Sequence, residues 1–214
     1  MLKVYGFSKV NPVARGHTRD LRVLWALAEM QLPYEIVGMD HPAHDLNRED
    51  YREFSPFEQV PSIDDDGLKM SESAAILMYL AKKSGRLMPS DREGEAQVLR
   101  WSLAAMNTVE MPLLALMVHD WTADEHCARP REFLVGWVQR AMRNLERWLA
   151  GREFVATREF TIADILMAHV LSAGVKDETL IEPYPIVVAY RNRCLARPAW
   201  LSTHEAYLAR VEAG

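Results

Sequence analysis

The 214-residue chain has room for one sizeable core or two smaller ones, and its 49% apolar and 26% charged residues exclude a disordered chain. A net charge of −5 supplies no general basic field and argues against nucleic acid as the partner. The two cysteines, Cys127 and Cys194, stand far apart in no CxxC pair, which excludes a disulfide scaffold and a dithiol redox centre, so thiol chemistry needs a thiol from a co-substrate.

The first residues, MLKVYGF, lack the basic and apolar regions of a leader. No run of about 18 uncharged apolar residues occurs, and the expected location is the cytosol. Residues 2–7 alternate as a strand. Residues 8–17 read as loop, broken by Asn11-Pro12 and Gly16. A helical pattern covers 18–30, with Leu21, Leu24, Trp25 and Ala28 at spacings of three and four. Thr18 is the expected N-cap, and Asp20 suits the positive end of the helix dipole. After the stop Gln31-Leu32-Pro33 comes a short strand at 34–38, a polar loop at 41–47 and a short helix at 48–54. Two strands at 60–63 and 68–70 flank Asp64-Asp65-Asp66-Gly67, a hairpin signal. A helix follows at 71–83.

The order β-α-β-α-β-β-α predicts a mixed four-stranded sheet whose first two strands run parallel through a right-handed crossover. Gly85 to Ser90 reads as a linker, with Gly85 as a C-cap and Pro89 as a stop. Helices are expected at 91–119, 124–150, 161–173, 184–196 and 201–211, with no strand after residue 90. The expected organisation is therefore an α/β domain at 1–84, a linker at 85–90 and an all-helical domain at 91–214.

The stretch SPFEQVPSIDDDGLKMSESAAILMYLA, residues 55–81, resembles the glutathione-binding segment of the cytosolic glutathione transferases. The element order and the all-helical second half are similar too, so the resemblance spans nearly the whole chain. It implies a thioredoxin-like N-terminal domain, a helical C-terminal domain, glutathione as co-substrate, a homodimer, and conjugation of the glutathione thiolate to small hydrophobic electrophiles in detoxification. By the same resemblance Val60, before a cis Pro61, pairs its backbone with the cysteinyl part of glutathione like an added strand. Glu72 meets the γ-glutamyl ammonium. Ser73 binds the γ-glutamyl carboxylate at a helix N-terminus, where free N–H groups and the dipole attract an anion. The plain alternative is helix capping by Ser71 and Ser73. Gln59 is a further candidate contact to the tripeptide.

Activating a thiol calls for a hydroxyl donor, a cation and a helix N-terminus together. Bacterial relatives carry Ser-Arg-x-x-x-Val-x-Trp at the start of their first helix. This chain has Thr18-Arg19-Asp20-Leu21-Arg22-Val23-Leu24-Trp25. The resemblance makes Thr18 the hydrogen-bond donor to the thiolate and Arg19 its electrostatic stabiliser. Counting from the strand nominates Ser8 instead. The helix count is preferred, because the dipole acts only within the first turn. His17 is a candidate for the sulfur or a glutathione carboxylate, and the long loop with Arg15 and His17 is a candidate flap. His41, His44 and Asn47 are open alternatives for the glycyl carboxylate. Met106, Met111, Met117, His119 and Trp121 are candidates for an electrophile pocket, although Met at helical spacing more often fills a core. His119, His126 and Cys127 fit no standard metal spacing, and no metal is expected.

Phe160-Thr-Ile-Ala-Asp164-Ile165 has the spacing of a capping box, with Phe160 and Ile165 as the hydrophobic staple. The family uses this motif to fix an early helix of its second domain. Loss of Asp164 from a cap alone is expected to cost about 1 kcal/mol. The rivals to conjugation are glutathione-dependent reduction of disulfides or peroxides, and a non-catalytic glutathione-binding module. An isomerase reading is weaker, because the Ser/Cys-rich loop of the maleylacetoacetate isomerases is missing.

Overall fold

The computed structural model describes residues 1–122, 128–174 and 177–213. Two compact units emerge from the packing: Met1–Leu87 with Arg197–Gly214, and Met88–Ala196. The final segment, expected at the end of the helical domain, thus belongs with the N-terminal unit.

In the first unit β1 (Leu2–Val10), α1 (Asp20–Met30), β2 (Glu35–Asp40), α2 (Glu49–Arg52), β3 (Ser62–Asp65), β4 (Leu68–Ser71) and α3 (Ser73–Ser84) follow the expected order. The sheet runs β2-β1-β3-β4, with β1 parallel to β2 and antiparallel to β3. Strand β1 continues three residues beyond expectation, and its register against β2 shifts between Phe7 and Lys9. Its end is also held by β5 (Glu212–Ala213), which pairs Lys9 with Glu212. A strand after residue 90 therefore exists. Lys9 also pairs with Asp40 of β2, but the β5 partner of Lys9 and Val10 lies some 200 residues away, out of reach of any local pattern.

Helix α1 is the centre of this unit. Its residues 20–27 and Met30 are all buried, between α3 on one side and α9 (Pro198–Arg210) on the other. Trp25 packs on Trp200 with ring centroids 4.9 Å apart. Below that pair Arg197 grips Glu29 through two hydrogen bonds of 2.6 and 2.8 Å. At the other end of α9, Arg15 donates to the carbonyls of Leu208 and Val211, whose helical partners have run out. His204 Nε2 lies 3.3 Å from the Gly16 carbonyl. The loop expected to be a flap is therefore docked on α9, with Arg15 spent on capping.

The second unit is built on α7 (Ile162–Ala173), buried from residue 162 to 171, and packed by α4 (Arg92–Leu103) and α8 (Pro185–Leu195). α6 (Ala128–Leu149) packs on α5 (Glu110–Thr122) and α8. Between α4 and α5 the residues Ala104–Val109 form a π-helical turn within one continuous helical run. Pro112 accounts for it. Proline has no N–H to return to Thr108, and its ring crowds that carbonyl. The run Arg92–Thr122 is long and apolar enough by composition to cross a membrane, but a core helix meets the same test.

The capping box forms as expected, and Asp164 does more than cap. Its carboxylate accepts from Val155 N (2.8 Å), Thr161 N (2.9 Å), Thr161 Oγ1 (3.0 Å) and Tyr190 Oη (2.9 Å), with no exposed surface. Burial pushes its pKa up, while those donors pull it back down.

Candidate functional site

The segment before Val60 is tied down from several sides. Ser55 Oγ accepts from Gln59 N at 2.9 Å, and Tyr51 Oη donates to Gln59 O at 2.8 Å. Ser62 Oγ donates to Tyr51 Oη at 3.0 Å, so the same phenol links the loop to β3. Glu58, at φ 56°, is held by Arg52 (2.7 Å) and Asn47 (2.8 Å). Val60-Pro61 is cis. The Gln59 side chain is exposed and Val60 is buried.

Two strands later the chain makes a strained entry into α3. Glu72 stands at the N-cap with φ 71° and ψ 108°, a region a non-glycine residue enters only at a cost of ~1–3 kcal/mol. Its side chain is exposed. The N-cap residue is Glu72, not Ser71 or Ser73, and its side chain makes no capping bond. Ser73 is buried, and its Oγ instead accepts from Arg22 Nη1 at 3.2 Å. Arg22 is itself only 1% exposed. A guanidinium cannot shed its charge, so it places a fixed positive charge beside the α3 N-terminus, adding to the helix dipole there. Sequence reasoning missed Arg22. The available signal was a charge flanked by Leu21 and Val23, in a helix with almost no exposed side.

The start of α1 differs from expectation. Its N-cap is Arg19, in helical conformation and without a side-chain cap bond. Thr18 is buried, and its Oγ1 donates to Tyr207 Oη of α9 at 2.6 Å. It is also hydrogen-bonded to the carboxyl of Asp20. Thr18 therefore does not cap, because its hydroxyl is claimed by Tyr207 of α9 and by Asp20 in the first turn of α1.

Asp20 is fully buried, and Phe7 N donates to its Oδ2 at 3.0 Å. Gly6 makes this possible: a Cβ there would meet Asp20 Oδ2 at 2.9 Å. Burial raises the Asp20 pKa, opposed by Thr18, the Phe7 N–H and the charge of Arg210. Arg210 donates to the Phe7 carbonyl. Tyr207 is pushed up to about 12 by burial and by the Asp20 charge, against hydrogen bonds from Thr18 and the Gly16 N–H.

The structure thus brings Thr18 together with Asp20 and Tyr207, and Ser73 together with Arg22. Arg19 is half-buried and His17 exposed, beside Thr18 in the chain. Ser8 sits at the β1 irregularity against Gly38 of β2, where a Cβ on Gly38 would meet Ser8 Cβ at 2.8 Å. His41 is edge-on to Phe7, and Asn47 is engaged with Glu58. In the second unit Met106, Met117 and His119 are half-buried, and Met111 and Trp121 exposed. His126 and Cys127 lie outside the described residues.

Residues 13–82 match the N-terminal domain model of glutathione S-transferases, and residues 112–198 match the C-terminal domain model of the same family. The chain belongs to the glutathione S-transferase family. Its fold is accordingly the thioredoxin-like sheet domain joined to a helical domain. A relative in Hyoscyamus muticus, named glutathione S-transferase, is 28% identical over 84% of this chain and 90% of its own. The disulfide-bond oxidoreductase YfcG of Escherichia coli is 26% identical over 88% of this chain and 89% of its own. A glutathione transferase family member from Pseudomonas fluorescens, crystallised with two glutathione bound, superposes with a TM-score of 0.84 at 26% identity, covering 95% of this chain and 92% of that one.

Proposed function

We propose that this family member binds glutathione, lowers the pKa of its thiol and conjugates the thiolate to small electrophiles. The observation that carries the reading is the entry to α3. An exposed Glu72 in strained backbone adjoins a buried Ser73 fixed by Arg22, next to the cis Val60-Pro61 strand start. These are groups for an amino acid zwitterion: a carboxylate for the ammonium, and a hydroxyl with a helix N-terminus for the carboxylate. Val60 supplies backbone pairing beside Pro61, and Gln59 a side-chain contact.

The thiol then faces the start of α1, where Thr18 donates to the sulfur, and Arg19 and the helix dipole stabilise its charge, with His17 alongside. Lowering a thiol pKa from about 8.5 by two units takes about 2.7 kcal/mol, within reach of a hydrogen bond and a nearby charge combined. The thiolate attacks an electrophilic carbon and expels its leaving group, while the thiol proton passes to solvent. The working form is a cytosolic homodimer.

Reduction of disulfides with glutathione is the second reading, favoured by the similarity to the Escherichia coli oxidoreductase. Titrating glutathione calorimetrically and then assaying halogenated nitroarenes against mixed glutathione disulfides separates the two. Turnover of the arene supports conjugation, and turnover of the disulfide alone supports reduction. Binding with no turnover of either rejects the enzyme reading.

A further inference from the structure

We propose that Tyr207, in the last helix, is a positioning residue that supplies Thr18 with a hydrogen bond while Thr18 donates to the glutathione sulfur. The inference deepens the assignment of Thr18 above and rests on it.

A threonine hydroxyl has one proton and two lone pairs. In the unliganded arrangement two acceptors compete for that proton, Tyr207 Oη 2.6 Å away and the Asp20 carboxyl. When a thiolate arrives, the proton is needed on the sulfur side, and the Thr18 oxygen must then accept a bond from elsewhere or lose one in a buried place. The Asp20 carboxyl beside it takes a bond from Thr18 and so stands as a rival acceptor, not as the supplier. Tyr207 has a proton to give. The bond between the two hydroxyls therefore reverses, and the chain becomes Tyr207 O–H to Thr18 O–H to S⁻. A hydroxyl that accepts a hydrogen bond is a stronger donor in turn. No covalent bond forms or breaks in this step, and the thiol proton has already left to solvent. A phenol titrating only near 12 stays protonated throughout the working range, so the supply does not fail as the thiol ionises.

The frame around this pair is built to hold it. Arg15 on the carbonyls of Leu208 and Val211, His204 on Gly16, and Arg210 on Phe7 lock the end of α9 to the loop and strand that carry Thr18. Without that frame Tyr207 would be an ordinary core tyrosine of a terminal helix.

The test is the thiol pKa of bound glutathione, read from thiolate ultraviolet absorbance in Tyr207→Phe, Thr18→Ala and the double variant. Tyr207→Phe removes one oxygen and keeps the ring. It is expected to raise the thiol pKa by about half a unit to one unit and to lower kcat about 3- to 10-fold, with the KM for glutathione within about twofold. In the Thr18→Ala background the same change is expected to have no further effect. Replacing Tyr207 with 3-fluorotyrosine, a better donor, is expected to move the thiol pKa down, and it serves if Tyr207→Phe does not fold. An unchanged pKa in Tyr207→Phe beside a raised one in Thr18→Ala overturns the proposal and leaves Thr18 standing. An equal shift in both backgrounds also overturns it, because Tyr207 would then act without Thr18. An unchanged pKa in Thr18→Ala itself removes the assignment of Thr18, and with it this inference.

Discussion

Arg22 and Ser73, 51 residues apart in sequence, meet through a hydrogen bond of 3.2 Å between two buried side chains. The contact joins the first turn of α1 to the first turn of α3. The contact places the Arg22 charge beside the N-terminus of α3.

Arg22→Met keeps much of the side-chain length and removes the charge. It leaves Ser73 Oγ without its donor and weakens the potential at the α3 N-terminus. Glutathione affinity should fall about 10-fold, and stability by about 1–3 kcal/mol. Calorimetric titration and chemical denaturation measure the two losses separately. An unchanged affinity would show that the pair is purely structural.

Glu72→Gly should act in opposite senses on stability and binding. Glycine accepts φ 71° freely, so relief of strain is worth about 0.5–1 kcal/mol of stability. Loss of the carboxylate should weaken glutathione binding at the same time. A variant that becomes less stable would show that Glu72 is held by contacts rather than kept for its ligand.

Asp65 predicts an acid-sensitive contribution. Its carboxylate accepts from Lys83 and Tyr79, and those bonds, the Lys83 one first, hold its pKa below the usual range. A depressed folded pKa means that the stabilisation is present above the unfolded value near 4 and is lost as pH falls through the folded value. Lys83 is partly exposed, so the worth at pH 7 is about 0.5–1 kcal/mol. Unfolding of Asp65→Asn from pH 7 to pH 2 should show that loss at neutral pH and converge with the parent at low pH.

Asp164→Ala tests the helical unit. A cap alone would cost about 1 kcal/mol, but here three donor residues around a buried carboxylate lose their acceptor. The expected cost is about 3 kcal/mol or more. Equilibrium denaturation near the ordinary cap value would contradict the network.

The elements legible in the sequence were those fixed by local patterns. The hairpin around Asp64-Asp65-Asp66-Gly67, the apolar stripe of α1 and the capping box at Thr161 are each written within a few residues. What could not be read depended on distant partners. The end of β1 is paired with Asp40 and with the distant Glu212-Ala213 strand, and the loop that looked like a flap is docked because Arg15 finds the end of α9. Thr18 has the composition of an N-cap and fails to be one, because Tyr207 and Asp20 compete for its hydroxyl. Arg22 was visible as a charge in an apolar setting, but its purpose needed Ser73 beside it.

The most direct test of the account is the thiol pKa of glutathione bound to the protein at saturation. The account predicts thiolate absorbance that titrates about two units below the free value of about 8.5. A bound thiol titrating at the free value, or no binding at millimolar glutathione, would contradict it.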